Sequence, residues 1–262
     1  MKRYIKLFFK SWALEISSHI AYKANFVTKM IAIMIMDLVG PLVVLLIYTN
    51  TAGIPGWTLE EFILFQGTMT LVFGFGHGFI VMMPVKILED VREGHFDRHL
   101  VKPFNTLKYF LFSSPDIDGF AEIFVGLSLI TWAFIKLDIN IVSLNFLLYI
   151  VLILTGLLFQ YTLFITVSAL TFLFVKSWAL FDILFTLQNF ARYPLNVYNS
   201  GLVFFLTFLF PIAVSAFYPV EVLLRGLSWI NLIKVILPVV LAFCISVWFW
   251  NKAMKKYSSA GG

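Results

Sequence analysis

The chain has 262 residues, of which 61% are hydrophobic and only 13% charged, far from the ~45–50% apolar and ~25% charged usage of soluble domains. That balance excludes an ordinary water-soluble enzyme and points to an all-α integral membrane protein, because each crossing needs roughly 20 apolar residues. The net charge of +5 reads as topology and anionic headgroups rather than nucleic acid, and the single cysteine, Cys244, excludes a disulfide framework and a multi-cysteine zinc site.

In chain order, MKRYIKLFFKSWALEISSHIAYK is basic but lacks a continuous apolar core and a small-residue cleavage site, so it is a poor signal peptide. As a helix it places Lys2, Lys6 and Lys10 on one face and Ile5, Phe9, Trp12, Ile16 and Ile20 on the other. The pattern predicts an interfacial helix over 1–24 with its lysines toward anionic lipid headgroups; the plainer alternative is the start of a soluble helix. Membrane spans are expected at 27–48, 62–83, 119–135, 144–175, 201–218 and 230–250. The fourth exceeds what a bilayer requires and should tilt, and the fifth contains Pro211. The stretch KSWALFDILFTLQNFARYPLNVYN, before the fifth, is too apolar for a free loop and too interrupted for a clear crossing. An interfacial helix, a re-entrant segment and a seventh crossing are all open for it. Counting Lys and Arg, the segments 1–29, 86–108, 176–192 and 252 onward hold sixteen, whereas the opposite loops hold Lys136 and Arg225. The asymmetry places both termini in the cytoplasm.

No G-x-x-x-x-G-K-[ST] phosphate loop occurs, so any ATP hydrolysis by that machinery belongs to another chain. GFGHGF at 74–79 lacks the spacing of a dinucleotide loop and lies inside the second span, where small residues let helices approach. Within it, His77 either lines a path or hydrogen-bonds a neighbouring helix. Asp37 in the first span and Glu122 near the inner end of the third are intramembrane acids, which face a bundle interior or a water-filled cavity. Lys29, two turns before Asp37, is a candidate partner for it. Asp37, His77, Glu122 and Pro211 are together the candidate translocation path. No metal site and no catalytic set is recognisable, with no H-E-x-x-H and no G-x-S-x-G. Trp57, Trp132, Trp229, Trp248 and Trp250 fall near span ends, as an aromatic belt would.

The run LEDVREGHFDRHLVKPFN, residues 88–105, carries seven of the thirty-three formal charges. It follows the second span, so the charge count puts it in the cytoplasm as part of an inner loop at 86–108. Topology alone would need only Lys and Arg, yet Glu89, Asp90, Glu93 and Asp97 accompany Arg92, Arg98 and Lys102. A short helix bearing both signs, interrupted at Gly94 and stopped at Pro103, suits docking into a complementary groove of a soluble partner.

An amphipathic start, six spans, a polar loop after span two and a proline-interrupted fifth span resemble the ABC-2 class of transporter permeases. VREGHFDRHLVKPFN is similar to the G-x-x-D-x-x-L-x-[KR]-P signature of small ABC-2 permeases through Gly94, Asp97, Leu100, Lys102 and Pro103. Arg192, Pro194, Tyr198, Pro211 and Pro219 resemble that family's R-x-P-x-x-x-Y segment and the span after it, and KYSSAGG resembles its tail. The resemblance implies a single permease domain over 1–262 that binds no cofactor, ATP and Mg2+ being held by cytoplasmic ABC ATPase subunits. It further implies a second permease subunit, identical or related, in a prokaryotic cytoplasmic membrane. The coupling element would comprise Glu89, Asp90, Arg92, Glu93, Gly94, Asp97, Arg98, Leu100, Lys102 and Pro103, and residues 220–229 would dip into the outer leaflet. Arg225 in that dip has no counterpart in the pattern. The expected cargo is amphipathic, lipid-like or drug-like. The competing classes are an ATP-independent transporter that uses Asp37 and His77 as a proton relay, and a lipid-modifying membrane enzyme.

Overall fold

A computed structural model describes residues 2–174 and 178–258, and every regular element among them is helical. Val175 at the end of the expected fourth span, Lys176, and the last four residues of the expected tail motif lie outside the described residues. Helix α1 (Lys2–Ala21) leads into α2 (Lys23–Asn50), and α3 (Leu59–Ile80) continues as α4 (Met82–Arg92). The short helices α5 (Asp97–Leu100) and α6 (Thr106–Ser113) precede α7 (Gly119–Lys136) and α8 (Leu144–Leu170). After α9 (Trp178–Gln188) come α10 (Ser200–Phe204), α11 (Phe217–Arg225) and α12 (Trp229–Met254). Five of these, with α3 and α4 taken as one, are long and apolar enough to cross a membrane: α2, Leu59–Arg92, α7, α8 and α12.

Helix starts are set by side chains that accept the orphan N–H groups. Thr58 and Glu61 form a reciprocal capping box on α3, and Asn105, Ser143, Asn199 and Ser228 cap α6, α8, α10 and α12, each such cap being worth about 0.5–2 kcal/mol. The α3–α4 junction has a proline cause: Pro84 has no N–H for the Ile80 carbonyl, and the Val81 N–H donates instead to the Gly76 carbonyl five residues back, at 3.2 Å.

The α3–α7 contact is the most extensive in the molecule, and it depends on glycine. A Cβ at Gly74 would lie 2.7 Å from the Ile123 nitrogen, and one on Gly119 would collide with the Gly78 backbone. GFGHGF is thus a packing surface. With no hydrophobic drive between helices in lipid, such close backbone approach supplies the association through van der Waals contact.

Between α9 and α12 the chain departs from the expected spans. From Phe185, whose ring lies 6.1 Å from that of His77, it climbs α3 in reverse. Gln188 donates to Gln160 of α8 at 2.9 Å, the Arg192 carbonyl accepts from Gln66, and Asn196 bonds both the Trp57 indole and the Pro55 carbonyl. The next stretch leaves the same loop and returns to it. Phe210 packs edge-on against Phe159 halfway along α8, Gly156 faces the backbone of Val214 and Ser215, and Arg225 reaches the Gly56 carbonyl. The span expected at 201–218 is therefore not one helix but α10, a π-helical turn over Phe205–Leu209, a 3₁₀ turn over Ile212–Ser215 and the start of α11. Pro211 is the physical reason, since its missing N–H and its ring end the helical ladder just past the π turn.

The aromatic expectations divide. Trp132, Trp229 and Trp248 are exposed as a belt requires, whereas Trp57 and Trp250 are buried core residues. On α1 the protein-facing stripe is Tyr4, Phe8 and Trp12, with Trp12 against Phe79 and Phe120; Ile5, Phe9, Ile16 and Ile20 point outward.

Candidate functional site

Two places gather charge. The first is the loop after α4, where the expected docking residues separate into a scaffold and an outer face. Gly94 sits at φ +69°, a left-handed turn that costs a residue with a Cβ roughly 1–2 kcal/mol, and this turn folds α5 back beside α4. Asp90 then anchors the fold. Its carbonyl accepts from the His95 and Phe96 nitrogens, Oδ1 accepts from Arg98 at 3.2 Å and Oδ2 from His99 at 2.8 Å. The tautomer of His99 follows from its other neighbour. Lys102 Nζ, which can only donate, lies 3.1 Å from His99 Nδ1 and 2.9 Å from the Tyr109 hydroxyl. Nδ1 therefore accepts and Nε2–H donates to Asp90. Burial and the Lys102 ammonium hold His99 below its ordinary value of 6.5. Under this network Phe96 is fully buried against Phe110 and Phe172, and the Tyr4 hydroxyl of α1 accepts from the Asn105 nitrogen at 3.0 Å.

The outer face carries Glu89, Arg92, Glu93, Arg98, Leu100 and Pro103, all exposed, with Val101 at 84% exposure beside them. Asp97 and Lys102 are half-buried. Charges of both signs and the apolar Leu100 and Val101 are thus exposed on one short segment whose inner side is tied down by Asp90 and Phe96. Sequence reasoning missed Phe96 and His99 as the residues that hold the base, although both lie in the stretch it singled out.

The second place is within the helices. A cavity of about 350 Å³ lies between α2, α3, α7 and the turn after α9, walled by Asp37, Gln66, Thr70, His77, Glu122 and Arg192 with Met36, Val39, Gly40, Met69 and Phe73. His77 Nδ1 is 2.7 and 2.8 Å from the two Glu122 oxygens; a carboxylate can only accept, so Nδ1–H donates. That is the neighbouring-helix reading of His77. Lys29 does not partner Asp37 but pairs with Asp118 at the start of α7. Eight residues along one helix is roughly 12 Å, so the lysine reaches across to the next helix more easily than up its own. Three of the four candidate path residues thus share one cavity. Pro211 does not; it lines a separate apolar cavity of about 620 Å³ between α8, α9, α12 and the π turn. Gln66 and Arg192 were not foreseen at the cavity, since they come from a mid-helix amide and from a segment without a regular period.

Arg225 closes the opposite end of the molecule. It donates to Glu221 at 2.9 Å, to the Gly56 carbonyl at 2.8 Å and to Glu61 at 3.2 Å, and lies over the Trp57 ring. It clasps α11 to the α2–α3 loop and to the cap of α3. Among the described residues no group of three or more His, Cys, Asp or Glu is placed to hold a metal ion.

Residues 31–261 match the model of the family described as ABC-2 family transporter protein. No curated protein and no solved structure matches the chain. The match spans most of the sequence, and the chain belongs to this family: it is a membrane protein of transport with several apolar helices.

Proposed function

From membership of the ABC-2 transporter family we infer that this chain is the permease subunit of an ATP-driven exporter whose ATPase is a separate polypeptide. Permeases of this family generally work with an ATPase subunit, and the chain itself has no phosphate loop. The observation that carries the reading is the outer face of the segment after α4. Glu89, Arg92, Glu93 and Arg98 are exposed on the same short segment as Leu100 and Val101, over a base fixed by Asp90 and Phe96. Mixed charge beside exposed apolar side chains gives a specific, correctly oriented dock, and a rigid base passes a push to α3 and α4 without absorbing it. Closure of two ATPase subunits holding ATP and Mg2+ would drive that push.

In this reading the whole chain is one permease domain. It crosses the membrane six times, by α2, α3, α7, α8, the stretch from 178 to 198 in place of the expected 201–218, and α12, with both termini in the cytoplasm of a prokaryotic cell; Arg192 then lies inside the fifth crossing, and the charge asymmetry rests on the other fifteen basic residues. The stretch from 200 to 225 dips into the outer leaflet and returns, an earlier start than the 220–229 dip that the family resemblance implies. Helix α1 lies in the interface, with Ile5, Phe9, Ile16 and Ile20 toward lipid and Lys2, Lys6 and Lys10 at the headgroups. A second permease, identical or related, completes the path, and the cargo is amphipathic, lipid-like or drug-like.

The test is recovery of an ABC-type ATPase with the tagged permease, followed by the double charge reversal Glu93→Arg with Arg98→Glu. Transport-coupled stimulation of the ATPase is expected to fall at least tenfold while the permease still folds and elutes as the wild type does, because an exposed pair contributes under about 1 kcal/mol. Normal coupling in the double variant would overturn the docking role. One observation favours a second reading: Asp37 and His77 share a cavity, as a proton relay needs. Transport that follows a proton gradient and survives without ATP would establish it.

A further inference from the structure

Inside the membrane, almost every charge near the α2–α3–α7 cavity has its partner. Lys29 pairs with Asp118, and His77 with Glu122. Arg192 directs Nε to the neutral Asn189 amide at 2.9 Å and is an exposed cation in the same cavity wall as Asp37, with no bond between the two. Asp37 differs. Among the described residues it makes no ion pair and no hydrogen bond, and its Oδ2 is buried with no partner. The wall beside it offers one further acceptor: Gln66 commits its amide nitrogen to the Arg192 carbonyl, which leaves its oxygen facing Gly40. Gly40 matters to the space, because a Cβ there would stand 3.3 Å from the Gln66 oxygen. Beside these polar atoms Met36, Val39, Met69 and Phe73 give an apolar wall. Met36 and Val39, which line the cavity, are themselves exposed on α2, so the cavity opens sideways past that helix.

Asp37 is half-buried, and an unpaired carboxylate oxygen buried among apolar helices is costly, such residues marking substrate or ion pathways. What satisfies Asp37 must bring positive charge and N–H donors. We propose that this cavity is a recognition site for the primary ammonium group of an amphipathic molecule, with the head on Asp37 and the Gln66 oxygen and the chain along Met36, Met69 and Phe73. About 350 Å³ lies within the range of small-ligand sites, roughly 300–1,000 Å³, and suits a head with the first part of a chain. The assignment rests on the transport reading above and names the cargo class for it.

The probe is decylammonium, titrated against the purified full-length permease in a nonionic detergent, with the melting temperature as readout. Saturable stabilisation is expected, and 1-decanol at equal concentration should give none. Asp37→Asn keeps the shape of the side chain and removes its charge, and should weaken the apparent affinity tenfold or more, since charge-assisted hydrogen bonds fall in that range. Partitioning of the probe into the micelle is common to both proteins, so the difference between them reports the site. Equal responses to the amine and the alcohol would overturn the proposal even if Asp37→Asn fails to fold. An unchanged response in a folded Asp37→Asn would also overturn it, leaving Asp37 as a carboxyl satisfied by water or its own proton. The measurement needs no ATPase. A permease that co-purifies with an ABC ATPase yet ignores decylammonium sinks this inference alone, whereas one that binds decylammonium and couples to no ATPase sinks the exporter reading instead.

Discussion

Asp90 and Asp37 are the same residue type used in opposite ways. Asp90, at the cytoplasmic end of α4, is met by Arg98 and His99 on its side chain and by two amides on its carbonyl. Asp37, halfway along α2, makes no described bond and keeps one oxygen buried without a partner. The cytoplasmic element ties its inner charges into the fold and keeps its outer ones exposed, with Arg98 reaching back to Asp90 and Glu93 paired with His95. The cavity is braced at its back by the His77–Glu122 pair and leaves one charge open in its wall. A satisfied charge holds shape, and an unsatisfied one awaits a ligand.

The contrast can be broken hardest through the backbone contact beneath the cavity. Gly119→Leu forces a branched side chain into the Gly74 and Gly78 backbone, and since interiors tolerate little added volume the expected outcome is loss of monodisperse protein in size-exclusion chromatography. A comparable substitution at exposed Val101 should leave the elution profile unchanged. Next in size is Glu122→Gln, which removes the charge-assisted bond to His77 and should cost about 1.5–3 kcal/mol, read as a clear drop in the melting temperature. Arg98→Ala, at a guanidinium 61% exposed, should cost under about 1 kcal/mol by the same measurement. Equal costs would mean that the cytoplasmic pair is as structural as the intramembrane one.

The smallest effect is a pH response confined to the cytoplasmic element. Because the native environment holds His99 below 6.5, the unfolded loop binds the proton more readily, so stability rises with pH across that window. Protonation also turns Nδ1 from acceptor to donor and sets it against Lys102. The hydrogen-exchange protection factors of the Phe96 and His99 amides, corrected for intrinsic rates, should be highest above pH 6.5 and fall as the pH drops from there toward the lowered native value. The change should vanish in His99→Gln.

Much of this was legible from residues alone, and for identifiable reasons. The mixed charge of 88–105 stood out because acidic residues serve no topological purpose there, and Gly94 announced a turn that only glycine takes without strain. GFGHGF read as packing because small residues inside an apolar run have that use. The failures share a cause. Spacing makes Lys29 a candidate partner for Asp37 on its own helix, while it reaches Asp118 at the start of α7. Residues 201–218 are apolar enough to be read as a span, but hydropathy does not register that Pro211 follows a π turn or that Phe210 packs against Phe159. Trp57 and Trp250 sit near helix ends, as belt residues do, and are buried, because depth in a bilayer does not fix which way a ring faces.

The sequence by itself determined the class of protein, most of the membrane-spanning runs and the charged element after the second, since composition, run length and charge order are properties of one dimension. Only the tertiary structure decided that Glu122 answers His77, that Asp37 is left over, and that the stretch before α12 turns back on itself. Those outcomes depend on which helix faces which, and helix-to-helix facing in a membrane is set by glycine contacts and proline breaks acting together across segments far apart in the chain.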